Sequence, residues 1–167
     1  MRYVMLVLVA LLFVIFQACL FLVDMPVWLV PQCLVVSVVF LAFYECSIVA
    51  ACMAFVLGLL LDVASGLSIG PWAGAYVFVF GFFTLLSQRL FIESRVVGFV
   101  ASGVATIMAT LVFCLLGVNA ASIGFGQLVG QGIVTALSAP VVFPILHRIW
   151  RQGLTDGHRE RWSVSTM

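Results

Sequence analysis

The chain alternates between long apolar stretches and short segments that hold its charged residues, prolines and glycines. Because a helix needs roughly 20 apolar residues to cross a hydrocarbon core about 30 Å thick, each stretch is a candidate membrane span. The stretches are apolar on every side, whereas strands of a membrane β-barrel alternate apolar and polar residues. The pattern predicts an all-α polytopic membrane protein whose six transmembrane helices cover residues 3–23, 27–44, 46–61, 72–87, 96–117 and about 127–149.

Composition supports the membrane assignment. Hydrophobic residues make up 65% of the chain, charged residues 8%, and the mean hydropathy is +1.33. A soluble domain carries about 25% charged residues, so this chain lacks the means to cover itself with a polar surface. Its net charge of +1 argues against a nucleic-acid partner.

The basic residues predict the orientation. With the N-terminus in the cytoplasm, all seven arginines fall on the cytoplasmic side, whereas Asp24 and Asp62 fall on the other side. This distribution follows the positive-inside rule and places both termini in the cytoplasm. We therefore expect a six-helix transmembrane domain over residues 1–151 and a short cytoplasmic tail over 152–167. A cleaved signal peptide at the N-terminus is the less favoured interpretation, because its apolar stretch is too long.

Candidate catalytic and metal-binding chemistry is sparse. The five cysteines lie in or beside apolar stretches without C-x-x-C spacing, and His147 and His158 each lack a second histidine or carboxylate nearby in sequence. Such cysteines usually fill apolar space, and zinc sites need clustered ligands. We expect no catalytic residue, cofactor or metal ion.

The segment 58–70 is the most informative polar feature, with the sequence Gly58-Leu-Leu-Leu-Asp62-Val-Ala-Ser65-Gly66-Leu-Ser-Ile-Gly70. Asp62 is expected to accept hydrogen bonds from the amides of residues 63–66, and Gly66 and Gly70 permit positive φ. Gly58, one helical turn earlier, leaves room for a neighbouring backbone. The segment is either a locked corner between two helices or a surface that docks a partner.

Small residues predict two helix-packing faces. The fifth span carries ridges of small side chains at intervals of four residues, and Gly126 and Gly130 form a G-x-x-x-G pair entering the sixth. In lipid, such ridges let helices approach closely. A contact with a partner or a small ligand remains an alternative for the second face. The ridges of the fifth span are Gly98, Ser102, Thr106, Thr110 and, beside them, Ala101, Ala105, Ala109.

The segment 58–70 resembles the G-x-x-x-D-x-x-S-G-x-x-x-G signature of the rod-shape-determining MreD family. Further points of similarity are Pro31 early in the second span, the loop 88–91 and a proline-containing last span that runs into basic residues. The resemblance extends over nearly the whole chain but is loose between spans five and six.

The resemblance implies a non-enzymatic scaffold of the bacterial cell-wall elongation complex in the cytoplasmic membrane. It implies binding to an MreC-like bitopic membrane protein and links to MreB, to RodA and to a class B transpeptidase, besides membrane lipids. It also implies a fold similar to the substrate-binding subunits of energy-coupling-factor vitamin transporters. The motif positions Gly58, Asp62, Ser65, Gly66 and Gly70 become the candidate structural and partner-binding residues.

Two other functions and one assembly question stay open. A substrate-binding subunit of a vitamin transporter needs converging polar groups near the outer face. The candidate residues for such a site are Trp72, Asn119, Gln127 and Gln131. A membrane-embedded enzyme acting on lipid-linked substrates is less favoured, because acidic, basic and histidine residues do not cluster. A homodimer is compatible with the sequence.

Overall fold

A computed structural model describes residues 2–22, 26, 29–45, 47–66, 70–87, 95–116 and 125–164. The predicted features at Asp24, Trp28, Cys46, 88–94 and 117–124 lie outside these ranges. Within the described ranges, the regular structure is helical, as the sequence predicts. The helices are α1 (Arg2–Leu22), α2 (Cys33–Tyr44), α3 (Ile48–Ser65), α4 (Pro71–Ser87), α5 (Arg95–Leu116) and α6 (Phe125–Val164).

Three helices in the described part of the chain are long and apolar enough to cross a membrane. They are α3, the segment Val97–Leu116 of α5 and the segment Gly126–Trp150 of α6. The apolar segments Met5–Leu20, Cys33–Tyr44 and Pro71–Ser87 are shorter. The helices are therefore consistent with a membrane protein.

Helix α2 lies at the centre of the bundle and packs against all five other helices. Every side chain from Cys33 to Ala42 is buried. A helix that is apolar on all sides is stable where neighbours surround it, and α2 provides the common surface around which the others assemble. Phe40 anchors its far end, with its ring centroid 5.7 Å from that of Phe143 and 6.3 Å from that of Trp150.

Helix α2 begins at Cys33, later than the predicted start at residue 27, so this boundary of the prediction is wrong. Pro31 explains the difference, because it has no N–H and disfavours helical geometry in the residue before it. Other elements satisfy the non-helical backbone here. Gln17 of α1 donates from Nε2 to the carbonyl of Pro31 at 2.8 Å, and the amide of Gln32 donates to Oγ1 of Thr135 on α6 at 3.1 Å.

Two helices run beyond their predicted ends. The third span was expected to stop before Asp62, but α3 continues to Ser65 and ends at Gly66, which has φ 64° and ψ 10°. A left-handed glycine is a frequent helix terminator. Helix α6 continues through Pro140 and Pro144 and on to Val164, so most of the predicted tail is helical.

Candidate functional site

The corner between α3 and α4 contains all five residues of the 58–70 motif. Two of its glycines have positive φ, 64° at Gly66 and 124° at Gly70. Gly66 ends α3, and Gly70 directly precedes the first residue of α4. Ser65 donates from Oγ to the carbonyl of Asp62 at 2.9 Å, which satisfies one of the last carbonyls of α3. Helix α4 therefore begins six residues after the end of α3.

Asp62 joins the two helices through its carboxylate. Oδ2 accepts the amide of Gly70 at 2.9 Å and that of Ala73 at 3.2 Å, and Oδ1 accepts the amide of Trp72 at 3.1 Å. The side chain is 2% exposed. An aspartate in one helix thus caps the N-terminus of the next, where a negative charge also interacts favourably with the helix dipole.

Pro71 removes one backbone amide from the first turn of α4, where amides lack helical partners. It is the first helical residue and has no N–H to satisfy, as is common at this position. The amides on either side of it, at Gly70, Trp72 and Ala73, all donate to Asp62, and the amide of Gly74 donates to the carbonyl of Gly70 at 2.9 Å. The start of α4 therefore has no unsatisfied amide through Gly74.

The hydrogen-bonding pattern corrects the prediction for Asp62. The sequence suggested acceptance from the amides of residues 63–66, but Asp62 accepts from residues 70, 72 and 73 instead. Because residues up to Ser65 remain helical, the amide of Ser65 and its neighbours are committed to helical geometry. The donors without helical partners are those at the start of α4, and the carboxylate reaches them.

Gly58 brings the two helices into backbone contact one turn before Asp62. A Cβ placed on Gly58 would lie 2.7 Å from the carbonyl oxygen of Trp72 and 2.8 Å from the nitrogen of Ala73. Real Cβ atoms do not approach that closely, so this position requires glycine. The close approach at Gly58 places the start of α4 within reach of the Asp62 carboxylate.

The polar contacts described at this corner link α3 to α4. Among the residues whose side chains the structure describes, Asp62 is the one charged residue that is buried. Both of its carboxylate oxygens already accept hydrogen bonds. No group of three or more potential metal ligands occurs in the described residues. The described cysteines, Cys19, Cys33, Cys52 and Cys114, are free thiols.

The small-residue ridges of α5 lie inside the bundle. Ala105 and Ala109 are fully buried, and a Cβ on Gly98 would lie 3.3 Å from the ring of Phe143 on α6. The ridge hydroxyls donate to carbonyls four residues earlier, as in the 2.7 Å bond from Ser102 to Gly98. Hydroxyls satisfied within their own helix can be buried at low cost. The same bonds link Thr106 to Ser102 and Thr110 to Thr106, both at 2.9 Å, and Ala101 is also buried.

Gly103 and Gly132 form a close contact between α5 and α6, which the ridges predicted from sequence do not include. A Cβ on Gly103 would lie 3.4 Å from the carbonyl oxygen of Gly132, and one on Gly132 would lie 3.5 Å from that of Gly103. The predicted pair on α6 lies elsewhere, because Gly126 is exposed with nothing within 4 Å of its Cβ position, and Gly130 is half-buried. Gly132-x-x-x-Ala136 is itself a small-residue repeat and was the available signal.

A second polar region surrounds the start of α2. The Oε1 atoms of Gln17 and Gln32 are buried without a hydrogen-bond partner among the described residues, and both side chains are 6% exposed. The hydroxyl of Tyr76 on α4 is likewise buried without a described partner. The glutamine oxygens are acceptors and the tyrosine hydroxyl is both donor and acceptor, so this region has capacity for additional polar contacts.

Comparison with protein-family models, with curated proteins and with solved structures finds no match for this chain. The motif, its geometry and the physical character of the helices are therefore the basis for assigning a function.

Proposed function

We propose that this protein is a non-enzymatic scaffold of the bacterial cell-wall elongation complex, in which it binds an MreC-like bitopic membrane protein. The observation that carries the proposal is that the residues of the 58–70 motif lie together at one corner of the fold. Its glycine, aspartate, serine and two further glycines resemble the MreD signature, and all five belong to one corner between α3 and α4. MreB, RodA and a class B transpeptidase complete the proposed assembly.

The use of Asp62 supports a structural role for the motif. Ionisable residues that serve as proton or ion relays inside a membrane face a water-filled cavity or the bundle interior, often paired with one another. Here, both oxygens accept amides from α4. Three backbone amides use three of the roughly four acceptor positions of this carboxylate, which supports a role in a scaffold over one in an enzyme or a proton-coupled transporter.

The membrane arrangement belongs to the same proposal. We infer six crossings of the cytoplasmic membrane, with α1, α2 and α4 crossing alongside the three longer helices. Helix α2 has 12 residues, about 18 Å at 1.5 Å per residue, so its crossing includes the preceding segment around Pro31. Buried protein surroundings allow non-helical backbone at that depth, and the bonds from Gln17 and to Thr135 satisfy it.

A partner helix must bind the outward faces of the bundle. The small ridges of α5 are committed to internal packing, since Ala105 and Ala109 are fully buried. Large apolar side chains cover the outside of the C-terminal helices, for example Leu111 on α5 and Leu137 on α6, which are 50% and 61% exposed. In lipid, this composition alone does not distinguish a partner surface, so recovery of partners is the decisive test.

The experiment is affinity purification of the tagged chain from native membranes in mild detergent, with partners identified by mass spectrometry. Recovery of an MreC-like protein together with wall-elongation enzymes is the expected result. A scrambled-tag strain and an unrelated six-span protein serve as controls. Recovery of paired ATPases with a coupling membrane subunit, and no MreC-like protein, would contradict the scaffold proposal.

The polar region at the start of α2 favours one alternative, a substrate-binding subunit of an energy-coupling-factor vitamin transporter. The unpartnered oxygens of Gln17, Gln32 and Tyr76 come from three parts of the chain and lie in the buried interior. Small-ligand sites combine an apolar surround with a few polar groups. Thermal stabilisation of the purified protein by one member of a vitamin panel, lost in a Gln32→Leu variant, would support this alternative.

A further inference from the structure

Tyr76 carries a buried hydroxyl at the junction of α2, α3 and α4. The side chain is 0% exposed, and its hydroxyl has no hydrogen-bond partner among the described residues. It interacts electrostatically with Asp62 on α3 and with Cys33 on α2. A buried hydroxyl that has lost its water and gained no partner costs free energy. The three helices therefore enclose a polar group that still requires a hydrogen bond.

The geometry of α4 directs the side chain of Tyr76 toward Asp62. Tyr76 follows Trp72 and Ala73, whose amides donate to the Asp62 carboxylate at 3.1 and 3.2 Å, by one helical turn. Residues at this spacing share one face of a helix, and a helical side chain leans toward the N-terminus of its own helix. The ring of Tyr76 packs against that of Trp72, with centroids 6.1 Å apart. The hydroxyl thus lies on the side of α4 that faces Asp62.

The carboxylate of Asp62 has an acceptor position left for this hydroxyl. A carboxylate has about four acceptor positions, and backbone amides use three of them. The Tyr76 hydroxyl does not reach the remaining position directly. One water molecule bridges two polar atoms that lie about 5 Å apart, and polar contacts longer than a direct hydrogen bond often contain such a water.

A water molecule suits this position better than a larger ligand. Tyr76, Asp62 and Cys33 are 0%, 2% and 4% exposed, so the described residues leave no open route by which an organic molecule could reach them. Proteins contain about one buried water per 27 residues, and each such water needs two to four polar partners. The Tyr76 hydroxyl, the Asp62 carboxylate and the weakly donating thiol of Cys33 provide three.

We propose that a buried water molecule bridges the hydroxyl of Tyr76 and the carboxylate of Asp62. The hydroxyl donates to the water, and the water donates to the remaining acceptor position of Asp62. The corner between α3 and α4 is thereby linked to the interior of the bundle beside Cys33 of α2. This inference concerns the hydration of the 58–70 motif and does not depend on the scaffold function.

A double-mutant cycle, measured by thermal unfolding in detergent, tests the bridge. Tyr76→Phe removes the hydroxyl and keeps the ring. It should lower the melting temperature by about 2–4 °C, the shift expected for one net hydrogen bond in a chain of this size. In an Asp62→Asn background the same substitution should cost less, because residues that share an interaction are not additive.

Tyr44→Phe is the matched control for this cycle. Tyr44 is 46% exposed and ends α2, whereas Cys33 begins it, so its substitution should have the same small effect in both backgrounds. A melting temperature of Tyr76→Phe equal to or above that of the wild type would overturn the proposal, since removal of a hydroxyl without a partner removes a penalty. Equal costs of Tyr76→Phe in the two backgrounds would overturn Asp62 as the second end of the bridge.

Solid-state NMR of the full chain in lipid bilayers detects the water without altering the site. The chain has three tyrosines, Tyr3, Tyr44 and Tyr76, so carbon-13 labelling of tyrosine Cζ gives three signals, and Tyr3→Phe and Tyr44→Phe identify that of Tyr76 by elimination. We expect magnetisation that starts on water to reach Cζ of Tyr76 although this side chain is buried. Transfer to Tyr44 without transfer to Tyr76 would contradict a water molecule at this position.

Discussion

Gly58 and Ala73 hold the backbones of α3 and α4 in direct contact. A Cβ on Gly58 would lie 2.8 Å from the nitrogen of Ala73, and that same nitrogen donates to Oδ2 of Asp62 at 3.2 Å. Ala73 is thus both the residue of α4 that comes closest to position 58 and the donor of one of the amides that Asp62 accepts. The absence of a side chain at position 58 and the carboxylate at position 62 are two parts of one interaction.

Gly58→Ala should destabilise the protein. Its methyl group would overlap the backbone of α4, which cannot move aside as a flexible side chain does, and overpacking of this kind costs about 1–3 kcal/mol. The measurement is thermal unfolding in detergent, followed by size-exclusion chromatography. Gly81→Ala in α4 is the matched control, because nothing lies within 4 Å of its Cβ position. Equal melting temperatures for the two variants would contradict the backbone contact.

Asp62→Ala should lower the amount of folded protein. It removes the acceptor of three amides at the start of α4, and a buried donor left unsatisfied costs about 1–3 kcal/mol. Asp62→Asn, which keeps one carbonyl oxygen, should fall between alanine and the wild type. The readouts are membrane abundance and melting temperature. Normal abundance and stability of Asp62→Ala, combined with complete loss of partner recovery, would assign the residue to docking instead.

Gly66→Ala tests the need for a left-handed backbone at position 66 without introducing a steric clash. Position 66 has φ 64° and nothing within 4 Å of its Cβ position, so alanine meets no obstacle except its own left-handed backbone. The expected loss is about 1–2 kcal/mol. Asn tolerates this conformation better, and Gly66→Asn should recover part of the loss. A melting temperature of Gly66→Ala equal to the wild type would indicate that the helix end rearranges freely.

Ala105→Leu should disrupt packing between α5 and its neighbours. Ala105 is fully buried, and a larger side chain there forces helices apart at a cost of about 1–3 kcal/mol. Ala18→Leu is the control, since Ala18 is exposed on α1 and lies outside the 58–70 motif. Comparison of the two melting temperatures, together with partner recovery for each, isolates the effect of the packed face. Wild-type values for both measurements in Ala105→Leu would count against close approach at this position.

The sequence predicted the helical elements well because each is a long apolar stretch with a polar or glycine-containing end. Helix α4 begins at Pro71 and α5 at Arg95, within one residue of the predicted starts at 72 and 96. The start of α2 was wrong because hydropathy does not register the missing N–H of Pro31. Its non-helical segment is stabilised by Gln17 and Thr135, which are distant in sequence.

The sequence predicted which residues form the candidate site, but not which hydrogen bonds they make. The 58–70 motif identified the residues, whereas the partners of Asp62 depend on where α3 ends and how closely α4 returns. The sequence likewise did not show which small residues of α6 pack against α5. The repeats beginning at Gly126 and Gly132 look alike in sequence, and the burial of Gly132 against Ile107 distinguishes them in the structure.

The central position of α2 has a consequence for biogenesis. The ribosome completes α2 well before α4, α5 and α6, yet those three helices cover much of its surface. Its start is satisfied by Thr135, which is synthesised about a hundred residues later. Early in translation, α2 must therefore wait beside lipid, the insertion machinery or a chaperone. A nascent chain that stops after α4 therefore lacks the hydroxyl that accepts the amide of Gln32.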